Sequence, residues 1–136
     1  MKARDVAIAI FHDNNFNIAI QERGSYSKSG EKYGFWGGCL KKGETPQQAI
    51  VREIEEELGF VPSKLDYWTT YKYKAVKDKQ EWLIRLFVFL SPLDKSVKKA
   101  KVREGEGVVV MDIDRAIKEM PKEDSGLLKR LKTKLG

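Results

Sequence analysis

Gly38 to Phe60 reads GCLKKGETPQQAIVREIEEELGF, and the helix written into this stretch decides the fold. Thr45 suits the N-cap and Pro46 the first helical position, while Gln48 completes a capping box with Thr45. Gly59 supplies the C-terminal stop, since glycine turns left-handed without a Cβ penalty. Between these signals Ile50, Ile54 and Leu58 recur every four residues, so one face is apolar and is expected to be buried.

The same helix carries a second pattern. At 3.6 residues per turn, Glu53, Glu56 and Glu57 share one side, beside the apolar face, and Glu55 points the other way. Like charges at these offsets repel by a few tenths of a kcal/mol per pair. Folding alone does not ask for that. Two readings stand at this point: a solvated acidic helix, or a site for a hard divalent cation, Mg2+ or Mn2+, which takes oxygen ligands. Arg52, four residues before Glu56, is placed to hold a carboxylate in one rotamer. Glu44 and Gly38 belong to the loop that enters the helix, where glycine lets backbone pass close to a ligand.

Working outward, Val6–Phe11 (VAIAIF) and Asn17–Glu22 (NIAIQE) read as antiparallel strands around a turn at residues 12–15. Gly24 to Gly34 is polar and glycine-containing and is expected to be a mobile loop. Leu65–Ala75 reads as a strand, and the nearly continuous apolar run Trp82–Leu90 as a central one covered on both faces. Ser91–Glu104 is expected to be a basic loop, Val108–Met111 a strand, and Asp112–Met120 and Ser125–Leu135 helices. Mixed strands with flanking helices predict an α/β (α+β) fold, packed as a three-layer α/β/α sandwich in one domain, residues 1–136.

Gly38, Glu44, Arg52, Glu53, Ile54, Glu56, Glu57, Gly59 and Phe60 match the Nudix box, G-x5-E-x7-R-E-U-x-E-E-x-G-U, where U is bulky and apolar, without a departure. The sequence thus resembles the Nudix hydrolases, and the order of strands and helices around the box extends the resemblance to the whole chain. The resemblance implies an α/β/α sandwich with a mixed sheet and Mg-dependent hydrolysis of a nucleoside diphosphate linked to another group X. It implies that Glu53, Glu56 and Glu57 bind metal, that Gly38 offers a carbonyl and that Arg52 orients the carboxylates. The general base is expected among Glu53, Glu56 and a glutamate before the strand at Val108. There the resemblance favours Glu104 over Glu106, although a glycine follows each.

The substrate is written less clearly. Arg23 is placed to meet a phosphate, and Tyr33, Phe35 and Trp36 could stack on a base, with core packing the competing reading for the last two. Tyr73 and Trp82 read as packed aromatics and Cys39 as buried filler. His12 has no second histidine with which to hold metal. A nucleoside triphosphate giving monophosphate and pyrophosphate is the first expectation. Nucleotide sugars, an RNA 5′ end and a non-catalytic nucleotide-binding module are the alternatives.

The net charge of +6 matches either a solvated basic surface or an anionic partner, with Lys98, Lys99, Lys101 and Arg103 forming one cluster. A nucleic acid is the second choice behind a small nucleotide, and no membrane partner is expected. The chain is expected to work as a monomer or homodimer. A single cysteine, an N-terminus that reaches charge too early for a secretory signal and the absence of a long apolar stretch point to the cytoplasm.

Overall fold

The computed structural model describes residues 1–23, 31–100 and 107–136. Seven strands form one mixed sheet: β1 (Lys2–His12), β2 (Asn17–Glu22), β3 (Tyr33–Gly34), β4 (Trp36–Cys39), β5 (Asp66–Lys77), β6 (Gln80–Pro92) and β7 (Gly107–Asp112). The helices are α1 (Pro46–Leu58), α2 (Lys95–Lys99), α3 (Ile113–Glu119) and α4 (Lys122–Leu135).

The main path through the sheet is β3-β2-β1-β6-β5. β1 and β6 run parallel in register from Lys2↔Trp82 to His12↔Pro92, and every other pairing is antiparallel. On its other edge β1 forks. Its middle, Val6 to Ala9, pairs with β4, and its end, Phe11 and His12, pairs with β2.

The period of two in β1 divides the core. Ala7, Ala9 and Phe11 face α1 with Ile50, Ile54 and Leu58, while Ile8 and Ile10 face the layer of α3 and α4 with Leu127, Leu128 and Leu131. The three-layer arrangement expected from the sequence is therefore the one found. No described helix is long and apolar enough to cross a membrane.

Helix α1 follows its sequence signals closely. Thr45 Oγ1 accepts from the Gln48 amide at 3.1 Å, and Gln48 Oε1 accepts from the Thr45 amide at 3.0 Å. Gly59 takes φ +79° and donates to the Glu55 carbonyl. The differences lie elsewhere. Tyr33 and Gly34 form a short strand against β2, and residues 24–30 of the expected mobile loop lie outside the described residues.

Within the expected basic loop, β6 continues to Pro92, and Asp94 caps a helical turn by accepting from the amides of Ser96 and Val97. The turn buries Val97 against the α1 layer. Only the second half of β6 is covered on both faces. Trp82 to Arg85 remain partly exposed.

Candidate functional site

The site forms where α1 meets β4. Trp36 anchors this junction: its side chain is fully buried, and Nε1–H donates to the Ala19 carbonyl at 3.1 Å. This overturns the stacking role considered for Trp36, because no ring face is left for a base. Gly37 follows at φ +140°, and a Cβ there would lie 2.0 Å from the Ala7 carbonyl oxygen. β4 thus rests on β1 more closely than any side chain permits.

That approach brings the backbone to the glutamates. The Gly37 amide donates to Glu57 Oε1 at 2.9 Å, and Glu57 is buried despite its charge. A buried carboxylate needs such partners. Beside it, Gly38 leaves the space that Glu53 fills: a Cβ at Gly38 would lie 2.5 Å from both Cδ and Oε1 of Glu53. Glu53 and Glu57, one helical turn apart, therefore flank a single dipeptide. Glu56 differs from them, with its side chain 54% exposed.

Arg52 ties the loop to the helix. Nε and Nη2 donate to Glu44 Oε2 and Oε1 at 2.8 and 2.9 Å, a two-pronged contact that fits the planar guanidinium. Nη1 donates to Glu53 Oε1 at 2.8 Å, and Nη2 to the Cys39 carbonyl at 3.2 Å. The contact with Glu56 is long, 3.4 Å, so Glu44 is the main partner and the i,i+4 glutamate a minor one. The Arg52 hydrogen bonds, helped by the Lys41 amide, hold the Glu44 carboxyl down at about 2. Glu44 in turn raises the Arg52 pKa above its ordinary value.

Among the described residues no three acidic, histidine or cysteine side chains converge into a ready-made metal cage. The donor set still fits a hard divalent ion. Magnesium is commonly held by one or two carboxylates together with substrate phosphates, not by an all-protein cage. Glu53 and Glu57 supply two carboxylates against backbone that carries no side chain.

A cleft of about 740 Å3 opens from Gly37 and Gly38 across the α3–α4 face of the sheet. Tyr33, Phe35 and Tyr73 line it, and so does Arg23, which lies against Gly34. Tyr73, expected to be a packed aromatic, is half-buried and packs against the core. Burial, with Asp124 nearby, pushes its hydroxyl up to about 12. Cys39 is exposed on the cleft rim, not buried filler.

The opposite wall carries Asp124, which sequence reasoning missed. It makes no hydrogen bond or ion pair among the described residues. Burial, then the nearby Glu31 and Glu123, pushes its carboxyl up to about 6, and Arg23 pulls the other way. A place in the first turn of α4 favours a carboxylate by about 0.3–1 kcal/mol, too little to offset that burial. In the sequence Asp124 is one charge in a Lys-Glu-Asp run at the start of a helix. Only the tertiary fold turns it into the cleft.

Of the expected site residues, Gly38, Glu44, Arg52, Glu53 and Glu57 come together, Glu56 lies at their edge, Arg23 lines the cleft, and Tyr33 borders it as a buried core residue with little ring surface left for a base. Glu104 lies outside the described residues, as do Glu106, Lys101 and Arg103.

The chain matches the NUDIX domain over residues 1–131 and belongs to that family. Among curated proteins, the 8-oxo-dGTP diphosphatase of Escherichia coli (strain K12) is 35% identical over 74 residues, 54% of this chain and 57% of that protein. The matched stretch thus spans little more than half the length of that relative.

Among solved structures, the E. coli ORF135 protein superposes with a TM-score of 0.70 at 21% identity, covering 98% of this chain and 91% of that one. The MutT protein from Methanosarcina mazei Go1 gives 0.74 at 14% identity, covering 98% and 95%. These two likenesses show a shared fold.

Proposed function

We propose that this chain, as a single Nudix unit, hydrolyses a diphosphate linkage in a nucleoside triphosphate, releasing the monophosphate and pyrophosphate. One observation carries the reading: Glu53 and Glu57 are held against the Gly37–Gly38 backbone at the mouth of an aromatic-lined cleft. Magnesium or manganese bound at Glu53, Glu57 and the edge residue Glu56 would activate water and clamp the diphosphate. The Gly38 carbonyl is a further donor in this reading.

Each residue then has a task. Arg52 fixes Glu53 and ties it to the Glu44 loop, so the carboxylates need no reorganisation during the reaction. Glu57 keeps its place through the Gly37 amide. A glutamate not fully engaged with metal accepts the proton of the attacking water; Glu53, Glu56 and Glu104 are the candidates. Water oxygen bonds to phosphorus, the bridging P–O bond breaks, and the leaving phosphate carries the electron pair away.

In the cleft, the partly buried Phe35 and Tyr73 offer apolar surface to a base, and Arg23 meets a phosphate or the charge of Asp124. The unpartnered Asp124 carboxyl provides acceptors for the N–H edge of the base, which suits a purine with a ring N–H beside an amine. Curated relatives named 8-oxo-dGTP diphosphatase make oxidised guanine nucleotides the first class to test. The lone cysteine is consistent with work in a reducing cytoplasm.

The test is a magnesium-dependent hydrolysis screen over standard and oxidised nucleoside triphosphates, nucleotide sugars and RNA with a 5′ triphosphate, with products separated by chromatography. The expected result is the highest kcat/KM for a triphosphate, with pyrophosphate released and EDTA abolishing turnover. Release of orthophosphate alone, or turnover unaffected by EDTA, overturns the reading.

A further inference from the structure

The floor of the cleft does not end at the residues assigned above. Along β1, Val6, Arg4 and Lys2 alternate onto the same face as Ile8, and their neighbours are Ile84 and Trp82 on β6 and Ala75 and Lys77 on β5. The Arg4 guanidinium carbon lies 4.9 Å from the centre of the Trp82 ring, and Lys2 Nζ lies 5.6 Å from it. Trp82 was expected to be a packed aromatic, yet it is partly exposed and helps to line an apolar hollow of about 60 Å3. Arg4, Ala75 and Ile84 line both this hollow and the main cleft, so the two are continuous.

The charges here are uncompensated. Some cations elsewhere find acids, as in Arg85 with Asp5, Arg52 with Glu44 and Lys132 with Asp114. Among the described residues none of Lys2, Arg4 and Lys77 makes an ion pair. Lys2 and Arg4 gathered on one aromatic, with Lys77 lining the same hollow, repel one another, and each cation–π contact at an exposed site is worth only about 0.5–1 kcal/mol. An anion supplied from outside relieves that repulsion. The other wall of the cleft, with Glu31, Glu123 and Asp124, is acidic, so the cleft is polarised across its width.

Position narrows the ligand further. Gly38 pairs with Ala7, which puts Arg4 about 10 Å and Lys2 about 16 Å further along β1, at roughly 3.3 Å per residue. The patch begins just past the glutamate site, and Lys2 with its neighbour Trp82 lies beyond a group bound directly at Gly38. We propose that it is a subsite for a second nucleotide unit of the substrate, joined through phosphate to the linkage that is cut. Its phosphate lies among Arg4, Lys2 and Lys77, and its base stacks at Trp82. This rests on the hydrolase reading and extends it to substrates larger than a mononucleotide. Two sources share this chemistry: a dinucleoside polyphosphate and an oligonucleotide with a 5′ triphosphate.

The experiment compares the wild type with Trp82→Ala and with the double variant Lys2→Gln/Lys77→Gln. Each is assayed on GTP, diguanosine tetraphosphate and a tetranucleotide carrying a 5′ triphosphate, with thermal melts as the control for folding. Both variants should stay within about twofold of wild type on GTP. On at least one extended substrate kcat/KM should fall about tenfold, within the range for losing one stacked base. The extended substrate that falls identifies the source.

Equal losses on all three substrates, or no loss on either extended one, overturn the subsite. If Trp82→Ala melts far below wild type, the lysine double variant carries the test. Equilibrium binding of the two extended ligands without metal separates this proposal from the catalytic one. Should the wild type hydrolyse nothing, the hydrolase reading falls, while a tenfold loss of binding in the variants still supports the subsite and unchanged binding overturns it.

Discussion

Two adjacent glycines give opposite outcomes for one added methyl group. In Gly38→Ala the new Cβ would start 2.5 Å from Glu53 Cδ and Oε1, against an ordinary contact of 3.4 Å or more, so the carboxylate must retreat by about 1 Å. What moves is the end of a flexible side chain, and the cost to folding should be within about 1 kcal/mol. Catalysis is less forgiving, because a displacement of about 1 Å in a positioned group can cost about 100-fold. In Gly37→Ala the Cβ meets the Ala7 carbonyl oxygen at 2.0 Å and the Ile8 Cα at 2.8 Å, with φ at +140°.

Both obstacles at Gly37 are backbone in the middle of the sheet, so β4 must separate from β1. The destabilisation should be at least about 3 kcal/mol, from overpacking added to the strained φ. For a chain of this size that lowers Tm by roughly 10 °C. Thermal melts followed by circular dichroism, with pyrophosphate release at saturating magnesium, measure both effects. Gly38→Ala should melt within about 3 °C of wild type and turn over about 100-fold more slowly. A Gly38→Ala protein that keeps activity within threefold, or that loses as much Tm as Gly37→Ala, refutes the reasoning.

Glu53→Gln and Glu57→Gln should each cut kcat by about 100-fold or more while the protein stays folded; full activity in both variants would remove the metal assignment. Arg52→Ala should weaken Mn2+ binding by about 10–100-fold in calorimetric titration, with KM changed much less. In the same variant the Glu44 carboxyl should rise from about 2 toward its ordinary value near 4.5, as read by NMR titration. An unmoved Glu44 would mean that Arg52 is not what holds it down.

Asp124 keeps its proton to about pH 6 when folded and to about 3.8 when unfolded, so the folded state binds more protons between these values. Stability should therefore fall as pH rises through that window, by up to about 3 kcal/mol. Asp124→Asn should flatten this dependence and raise Tm at pH 7 while weakening selection between bases. A pH profile identical to wild type would show that Asp124 carries no such cost.

The legible part of the molecule was the part governed by local rules. Thr45, Pro46, Gln48 and Gly59 each act within a few residues of themselves, so α1 could be bounded almost to the residue. The spacing of the glutamates likewise fixed which of them share a side. What the wheel could not show is that β4 separates them, burying Glu57 against Gly37 and leaving Glu56 at the edge.

Trp36 illustrates the ambiguity of an aromatic beside a motif: composition is the same for a stacking surface and a core anchor, and only the fold decides. The β5–β6 hairpin went unread for another reason. Asp78 and Lys79 both take positive φ, at 52° and 63°, in a two-residue loop where Asn-Gly is the readable signal. Asp124 was hidden because its neighbours in space, Glu31, Arg23 and Tyr73, are remote in sequence.

The forked pairing of β1 also constrains how the protein is made. Its antiparallel partners β2 and β4 are complete by Cys39, whereas its parallel partner β6 lies 80 residues further on, as the Asp5–Arg85 contact records. At about 5–20 residues per second a ribosome needs roughly 4–16 s to cover that interval. Throughout it one edge of an apolar strand, Val6 to Phe11, has no native neighbour to pair with. The junction of β4 with α1 spans only about twenty residues and can close before β6, which begins at Gln80, emerges. A nascent chain would thus carry an assembled glutamate cluster on a half-built sheet, with its exposed strand edge open to chaperones or to other nascent copies until β6 arrives.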